Sequence, residues 1–187
     1  MIGAVLAGGR GERLGGDKAL ALLSGRPLVE HVLHALRAVA DEVVVVAKPH
    51  TALPDLGVEV WHDEEPEHHP RNGIVTALRR ADGAPVVVCA VDLPYAGPAL
   101  ALVATVAGAP TAVARAGGRL QPLCARYGAD ALATLDAAAP GEPLTRTVER
   151  LGPAIVEVPR TSLINVNTPD DLDDAARMGT PAACSDD

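Results

Sequence analysis

The stretch Ile2-Gly3-Ala4-Val5-Leu6-Ala7-Gly8-Gly9-Arg10-Gly11-Glu12-Arg13-Leu14-Gly15-Gly16-Asp17-Lys18 carries an apolar run straight into a glycine-rich loop. Residues 2–6 have the length and apolarity of a buried strand. Outward from it the alternation of strand and helix continues. The spacing of Leu28, Val32, Leu36 and Val39 predicts a helix over 27–40, with Pro27 suited to its first turn. Glu42-Val43-Val44-Val45-Val46-Ala47 is a continuous apolar strand of the kind found inside parallel sheets. A shorter strand is expected over 58–61, a short helix over 74–80, and a second buried strand over 85–91 that ends at Asp92-Leu93-Pro94. Helices over 98–106, 130–139 and 144–151 and strands over 111–115, 120–127 and 155–158 follow. Thr168-Pro169-Asp170-Asp171 opens a last helix, with Thr as N-cap, proline in the first position and acids facing the positive dipole end.

This alternation defines an α/β fold, a three-layer sandwich whose mostly parallel central sheet is covered on both faces. Residues 1–178 are expected to form one domain and 179–187 a frayed tail. In such sheets ligands sit outside the carboxyl ends of the strands. That directs attention to the loops after Leu6, Trp61 and Val91.

Composition bounds the partners. The 187 residues are 48% hydrophobic and 21% charged, enough for a sizeable core and too apolar for wholesale disorder. Sixteen basic against 24 acidic residues give a net charge of −8, which argues against a nucleic-acid partner. No apolar run approaches the ~18 residues of a membrane span. The first residues lack the basic start of a secretory signal, and Cys89, Cys124 and Cys184 form no Cys-x-x-Cys pair. A cytoplasmic location without disulfides or zinc is therefore expected. The chain holds no Phe, only two lysines (Lys18, Lys48), three asparagines (Asn72, Asn165, Asn167) and one glutamine. Where a depleted residue type survives, its chemistry is harder to replace.

The glycine-rich loop brings backbone N–H groups close to phosphates. It is neither of two common phosphate loops. A dinucleotide fingerprint needs a third glycine where Leu14 stands, and a Walker A loop needs Gly-Lys-Ser/Thr where Gly16-Asp17-Lys18-Ala19 stands. What remains are glycines with two cations, Arg13 and Lys18, suited to a triphosphate. The plain alternative is a flexible surface turn. Asp92, directly after a buried strand, can hold Mg²⁺ against phosphate oxygens, or serve as a turn residue before Pro94. Ile164-Asn165-Val166-Asn167-Thr168-Pro169 holds two of the three asparagines; Thr168 already supplies the cap, which leaves the asparagines for a ligand or metal. Trp61-His62-Asp63-Glu64-Glu65-Pro66-Glu67-His68-His69 mimics a metal cluster, but its spacing matches no His-Glu-x-x-His helix and Pro66 breaks the register. It reads as a solvated acidic loop except for Asp63, which directly follows a strand. Cys89 and Cys124 read as core residues. No Gly-x-Ser-x-Gly elbow is present. Cations, glycines and a metal-type carboxylate suit phosphoryl or nucleotidyl transfer, where positioning and charge neutralisation do most of the catalysis.

Taken together, Leu-Ala-Gly-Gly-x-Gly-x-Arg-x-Gly-x-Asp-Lys over 6–18, Cys-x-x-Asp-x-Pro over 89–94 and Asn-Val-Asn-Thr-Pro over 165–169 resemble the nucleotidyltransferase superfamily. Within it they are similar to the molybdenum cofactor guanylyltransferases of the MobA type, in the same order and over residues 2–178. The resemblance implies a Rossmann-like nucleotidyltransferase fold and transfer of GMP from GTP to the terminal phosphate of molybdopterin, with Mg²⁺ as cofactor and pyrophosphate as second product. It implies that Leu6, Ala7, Gly8 and Asp63 meet the nucleotide. Arg13 and Lys18 would meet the phosphates, Asp92 the Mg²⁺, and Asn165 and Asn167 the acceptor phosphate or the metal. Gly9, in Leu-Ala-Gly-Gly rather than Leu-Ala-Ala-Gly, implies GTP over CTP. Transient contact with other cofactor-biosynthesis proteins or apo-molybdoenzymes is the implied protein partnership. Two departures stand out: His69-Pro70-Arg71-Asn72-Gly73 replaces the family's Gly-Pro-Leu-Ala-Gly, and Val46 stands where a nucleotide-contacting Asn is expected. They keep other readings open: another phosphorylated acceptor (a sugar phosphate or phospholactate), cytidylyl transfer to molybdopterin, or a non-catalytic nucleotide-binding homologue.

Overall fold

In the computed structural model, which describes residues 1–8 and 18–179, the uninterrupted apolar runs form the middle of a sheet. Strands β1 (Ile2–Leu6), β4 (Glu42–Ala47), β5 (Glu59–His62) and β6 (Val86–Ala90) pair in parallel, with β1 between β4 and β6. Strands β7 (Ala112–Ala116), β8 (Arg119–Tyr127) and β9 (Ala154–Glu157) extend the sheet to the order β5-β4-β1-β6-β8-β7-β9. β8 runs antiparallel to both neighbours, and β7 and β9 are parallel. The sheet is thus mostly parallel, as expected. Two short strands, β2 (Leu22–Leu23) and β3 (Arg26–Pro27), form a separate hairpin that sequence reasoning did not anticipate. Its signal was the Ser24-Gly25 pair, where both residues take positive φ, as a two-residue hairpin turn requires.

Period-two alternation sends each strand's side chains to opposite faces. Val5, Val45, Val87 and Cys89 join one buried cluster with α1 (Leu28–Arg37) and α3 (Gly97–Thr105). Ala4, Val44, Val46, Val86 and Val88 join another with α2 (Pro70–Arg80), α4 (Ala131–Asp136) and α5 (Leu144–Glu149). Helix α6 (Pro169–Arg177) returns to the first face through Leu172 and Ala175. Thr168 caps it as expected, in a reciprocal capping box with Asp171. None of the helices described is long and apolar enough to cross a membrane.

Two helices begin differently from their sequence reading. Pro27 is the N-cap of α1 and the last residue of β3, rather than part of the helix's first turn. Helix α2 starts at Pro70, four residues before the expected Ile74, because His69 caps it and Pro70 tolerates the first turn. Gly73 therefore lies inside a helix; a Cβ there would stand 3.3 Å from Leu6 Cδ2, so glycine lets α2 approach β1.

From β1 the chain steps outward through β4 to β5 and then crosses back to β6 on the other side of β1. That reversal opens a crevice at the carboxyl ends of β1 and β6, the usual ligand position in doubly wound sheets.

Candidate active site

The crevice is a cavity of about 290 Å³. Backbone bonds carry the strand ladders one step beyond the sheet at its rim: Ala7 N–H donates to the Val46 carbonyl, Val91 N–H to Leu6 and Asp63 N–H to Ala47. Residues at the strand ends are thereby fixed side by side. Leu6 and Gly8 line the cavity from β1, Ala47 and Lys48 from β4, Asp63 from β5, and Val91 and Asp92 from β6. Lys18 enters from the 3₁₀ turn Lys18–Leu20, and His69, Pro70 and Gly73 close the side under α2.

At the β6 end, Lys18 Nζ donates to Asp92 Oδ2 at 2.8 Å and to Asn167 Oδ1 at 2.6 Å. One ammonium thus joins three segments separated by 74 and 149 residues. The loop carrying the asparagines is tied down by Val166, whose buried side chain faces the core and whose N–H donates to the Asp92 carbonyl at 2.9 Å. Asn165 and Asn167 flank it on the exposed side, and Asn167 is the one that reaches Lys18. It is bonded to a cation rather than left free. Asp171 accepts from the Asn167 and Thr168 N–H groups, each at 2.8 Å. These bonds, the Asn167 one foremost, hold its carboxyl below the usual value. The helix cap thereby also fixes the asparagine.

At the β4–β5 end stands a second lysine that the motif reading did not assign. Lys48 is 4% exposed; its Nζ pairs with Asp63 Oδ2 at 2.9 Å and donates to the carbonyls of Glu65 at 2.5 Å and Glu67 at 3.2 Å. Asn72 Nδ2 donates to the same Glu67 carbonyl at 3.0 Å, and Asp63 Oδ1 accepts from Glu65 N–H at 3.1 Å. Lys48 therefore pins the wall that carries Asp63. Its signal in the sequence was twofold: one of two surviving lysines, directly after a buried strand at the ligand edge.

The remaining candidates separate cleanly. His62, Glu64, Glu65, Glu67 and His68 are solvent-exposed, so Asp63 is the buried acid of that segment. Cys89 and Cys124 are buried and stand opposite each other across β6 and β8. Hydrogen bonding between the two thiols and burial push the Cys89 thiol well above its ordinary value, which makes it a poor nucleophile. Gly9 and Arg13 lie outside the described residues, as does the tail over 180–187.

The donor set at the β6 end fits a hard divalent cation. Asp92 and Asn167 turn two oxygens toward one point, where the Lys18 ammonium now supplies the positive charge. Among the described residues no group of three or more His, Cys, Asp or Glu could hold a metal. One carboxylate and one amide oxygen match Mg²⁺, which is commonly held by one or two protein oxygens together with substrate phosphates and water.

A crevice with a lysine and a carboxylate at one end and a buried acceptor at the other can align a nucleotide along the strand ends. Comparison with known proteins agrees. Residues 3–155 match the family model of the MobA-like NTP transferase domain. The chain is 38% identical over 181 residues to a molybdenum cofactor guanylyltransferase of Cereibacter sphaeroides, covering 92% of this chain and 93% of that protein. It is 34% identical over 197 residues to a probable molybdenum cofactor guanylyltransferase of Chloroflexus aggregans, covering 92% and 91%. Among solved structures, the molybdopterin-guanine dinucleotide biosynthesis protein A from Archaeoglobus fulgidus superimposes with a TM-score of 0.75 at 28% identity, covering 95% of this chain and 98% of that one. The fold, the cavity and these relatives agree: the chain belongs to the MobA-like NTP transferase family and is a nucleotidyltransferase.

Proposed function

We propose that the chain is a Mg²⁺-dependent molybdenum cofactor guanylyltransferase, acting on GTP and molybdopterin as one catalytic unit over residues 1–178. The observation that carries this reading is the meeting of Lys18, Asp92 and Asn167, one from each of the three motifs, at a single ammonium. In the reaction an oxygen of the molybdopterin phosphate forms a bond to the α-phosphorus of GTP. The bond from that phosphorus to the bridging oxygen breaks, and the electron pair leaves with pyrophosphate. Asp92, with Asn167 beside it, would hold Mg²⁺, which would supply charge neutralisation on the phosphates.

The chain's own residues do the rest. Leu6, Ala7 and Gly8 present the strand end against which the nucleotide lies. Lys18, with a side chain 12% exposed against 20% for Asp92, is accessible enough to exchange its partners for phosphate oxygens. Arg13 would add a second cation to the triphosphate. Asn167 then has its amide free for the acceptor phosphate, and Asn165 stands on the same face of the loop to share that contact. By the resemblance of its motif, Gly9 would favour GTP over CTP. The test is product analysis by mass spectrometry after incubation with molybdopterin, Mg²⁺ and either GTP or CTP. A guanine dinucleotide and pyrophosphate from GTP are expected. Product from CTP at an equal rate, or none from either nucleotide, contradicts the reading.

A further inference from the structure

We propose that His69 is a specificity-determining residue at the nucleoside end of the cavity, donating its Nε2–H to the exocyclic oxygen of guanine. The inference rests on the guanylyl reading above and adds a base contact from this chain's own departure at 69–73. His69 is half-buried and lines the cavity with Asp63, away from the Lys18–Asp92 pair. Its ring is held by the start of α2: Nδ1 accepts from Arg71 N–H at 3.2 Å. A nitrogen that accepts carries no proton, so the ring proton is on Nε2, and nothing among the described residues is bonded there. His69 thus lines the cavity with an uncommitted ring donor, its tautomer fixed by a helix cap.

Asp63 is the complement. Its carboxylate is held by Lys48 at 2.9 Å and by Glu65 N–H at 3.1 Å, and it can only accept. One acceptor and one donor in the same cavity match the edge of guanine, where N1–H and N2–H₂ donate beside an accepting O6. Adenine reverses the pattern: its N6–H₂ would face the Nε2–H, donor against donor. A site built around buried polar groups rejects a ligand that leaves them unpaired.

The test uses the full-length protein with Mg²⁺ and measures equilibrium binding of GTP, 6-thio-GTP and ITP. Sulfur at position 6 accepts weakly, whereas ITP lacks only the N2 amino group that faces Asp63. Wild type is expected to prefer GTP to 6-thio-GTP. His69→Ala and His69→Asn are expected to weaken GTP by about 3- to 10-fold, the worth of one neutral hydrogen bond, leaving 6-thio-GTP nearly unchanged. The GTP-to-ITP ratio stays as in wild type. Asparagine can still cap α2 but is too short to reach the base, so it separates the base contact from helix stability. If both variants keep the wild-type preference for GTP over 6-thio-GTP, the role of His69 is overturned and the guanylyl reading stands. If wild type itself prefers CTP or ATP, both fall together.

Discussion

The chain's two lysines end in ion pairs at opposite ends of one cavity, and the pairs are built differently. Lys18 and Asp92 retain 12% and 20% side-chain exposure, and both acceptors on Lys18 are side chains. Lys48 and Asp63 retain 5% and 7%, and two of the three acceptors on Lys48 are backbone carbonyls. Side-chain partners reached by solvent can be exchanged for a charged ligand. Backbone partners in a buried pocket cannot be exchanged without moving the chain. The same ammonium chemistry is therefore a working group at one end and a fastener at the other.

Breaking the two ends should give opposite signatures. Lys48→Met leaves Asp63 buried without its counter-charge and is expected to cost about 3–5 kcal/mol of stability in urea denaturation. Adding Asp63→Leu should recover most of that loss, because replacing both partners of a buried pair is far cheaper than removing one. Lys18→Ala should instead lower kcat by about 10²–10³ through lost stabilisation of transition-state charge, with a melting temperature close to wild type. If Lys18→Ala unfolds the protein, or Lys48→Met melts normally, the contrast between the ends is wrong. Thr168→Ala removes the cap of α6 and should cost about 1 kcal/mol of stability. It should also raise KM for the acceptor, because the same cap fixes Asn167.

The smallest expected effect is on pH. The carboxyl of Asp171 is held below its usual value, chiefly by the Asn167 N–H and then by Thr168. A group whose folded pKa is depressed contributes stability that is present above its unfolded value, near 3.9, and is lost as pH falls through the folded value. Urea midpoints of wild type should therefore drop on acidification below about pH 4 more than those of Asp171→Asn. Parallel curves would remove Asp171 from the account.

The sequence showed the parts of this molecule that depend on local pattern. β4 and β6 were legible because a run such as Val86–Ala90 has no polar face and suits only a strand covered on both sides. Lys18, Asp92 and Asn167 were legible because each stands in a motif directly after a buried strand or before a helix cap. The start of α2 was hidden, because its cap is an imidazole rather than Ser, Thr, Asp or Asn, and because Asn72-Gly73 interrupts the apolar period. The role of Lys48 was hidden for a different reason. Two of its partners are carbonyls 17 and 19 residues away, and a carbonyl leaves no mark on the sequence.

The most direct test of the account is thermal melting of the full-length protein with GTP, CTP, dTTP and ATP, each with and without Mg²⁺. A ligand that binds only the folded state raises its stability by mass action, so selectivity is read without the acceptor. A rise confined to GTP and larger with Mg²⁺ is expected. An equal or larger rise with CTP or dTTP would contradict the assignment of the cavity to guanine.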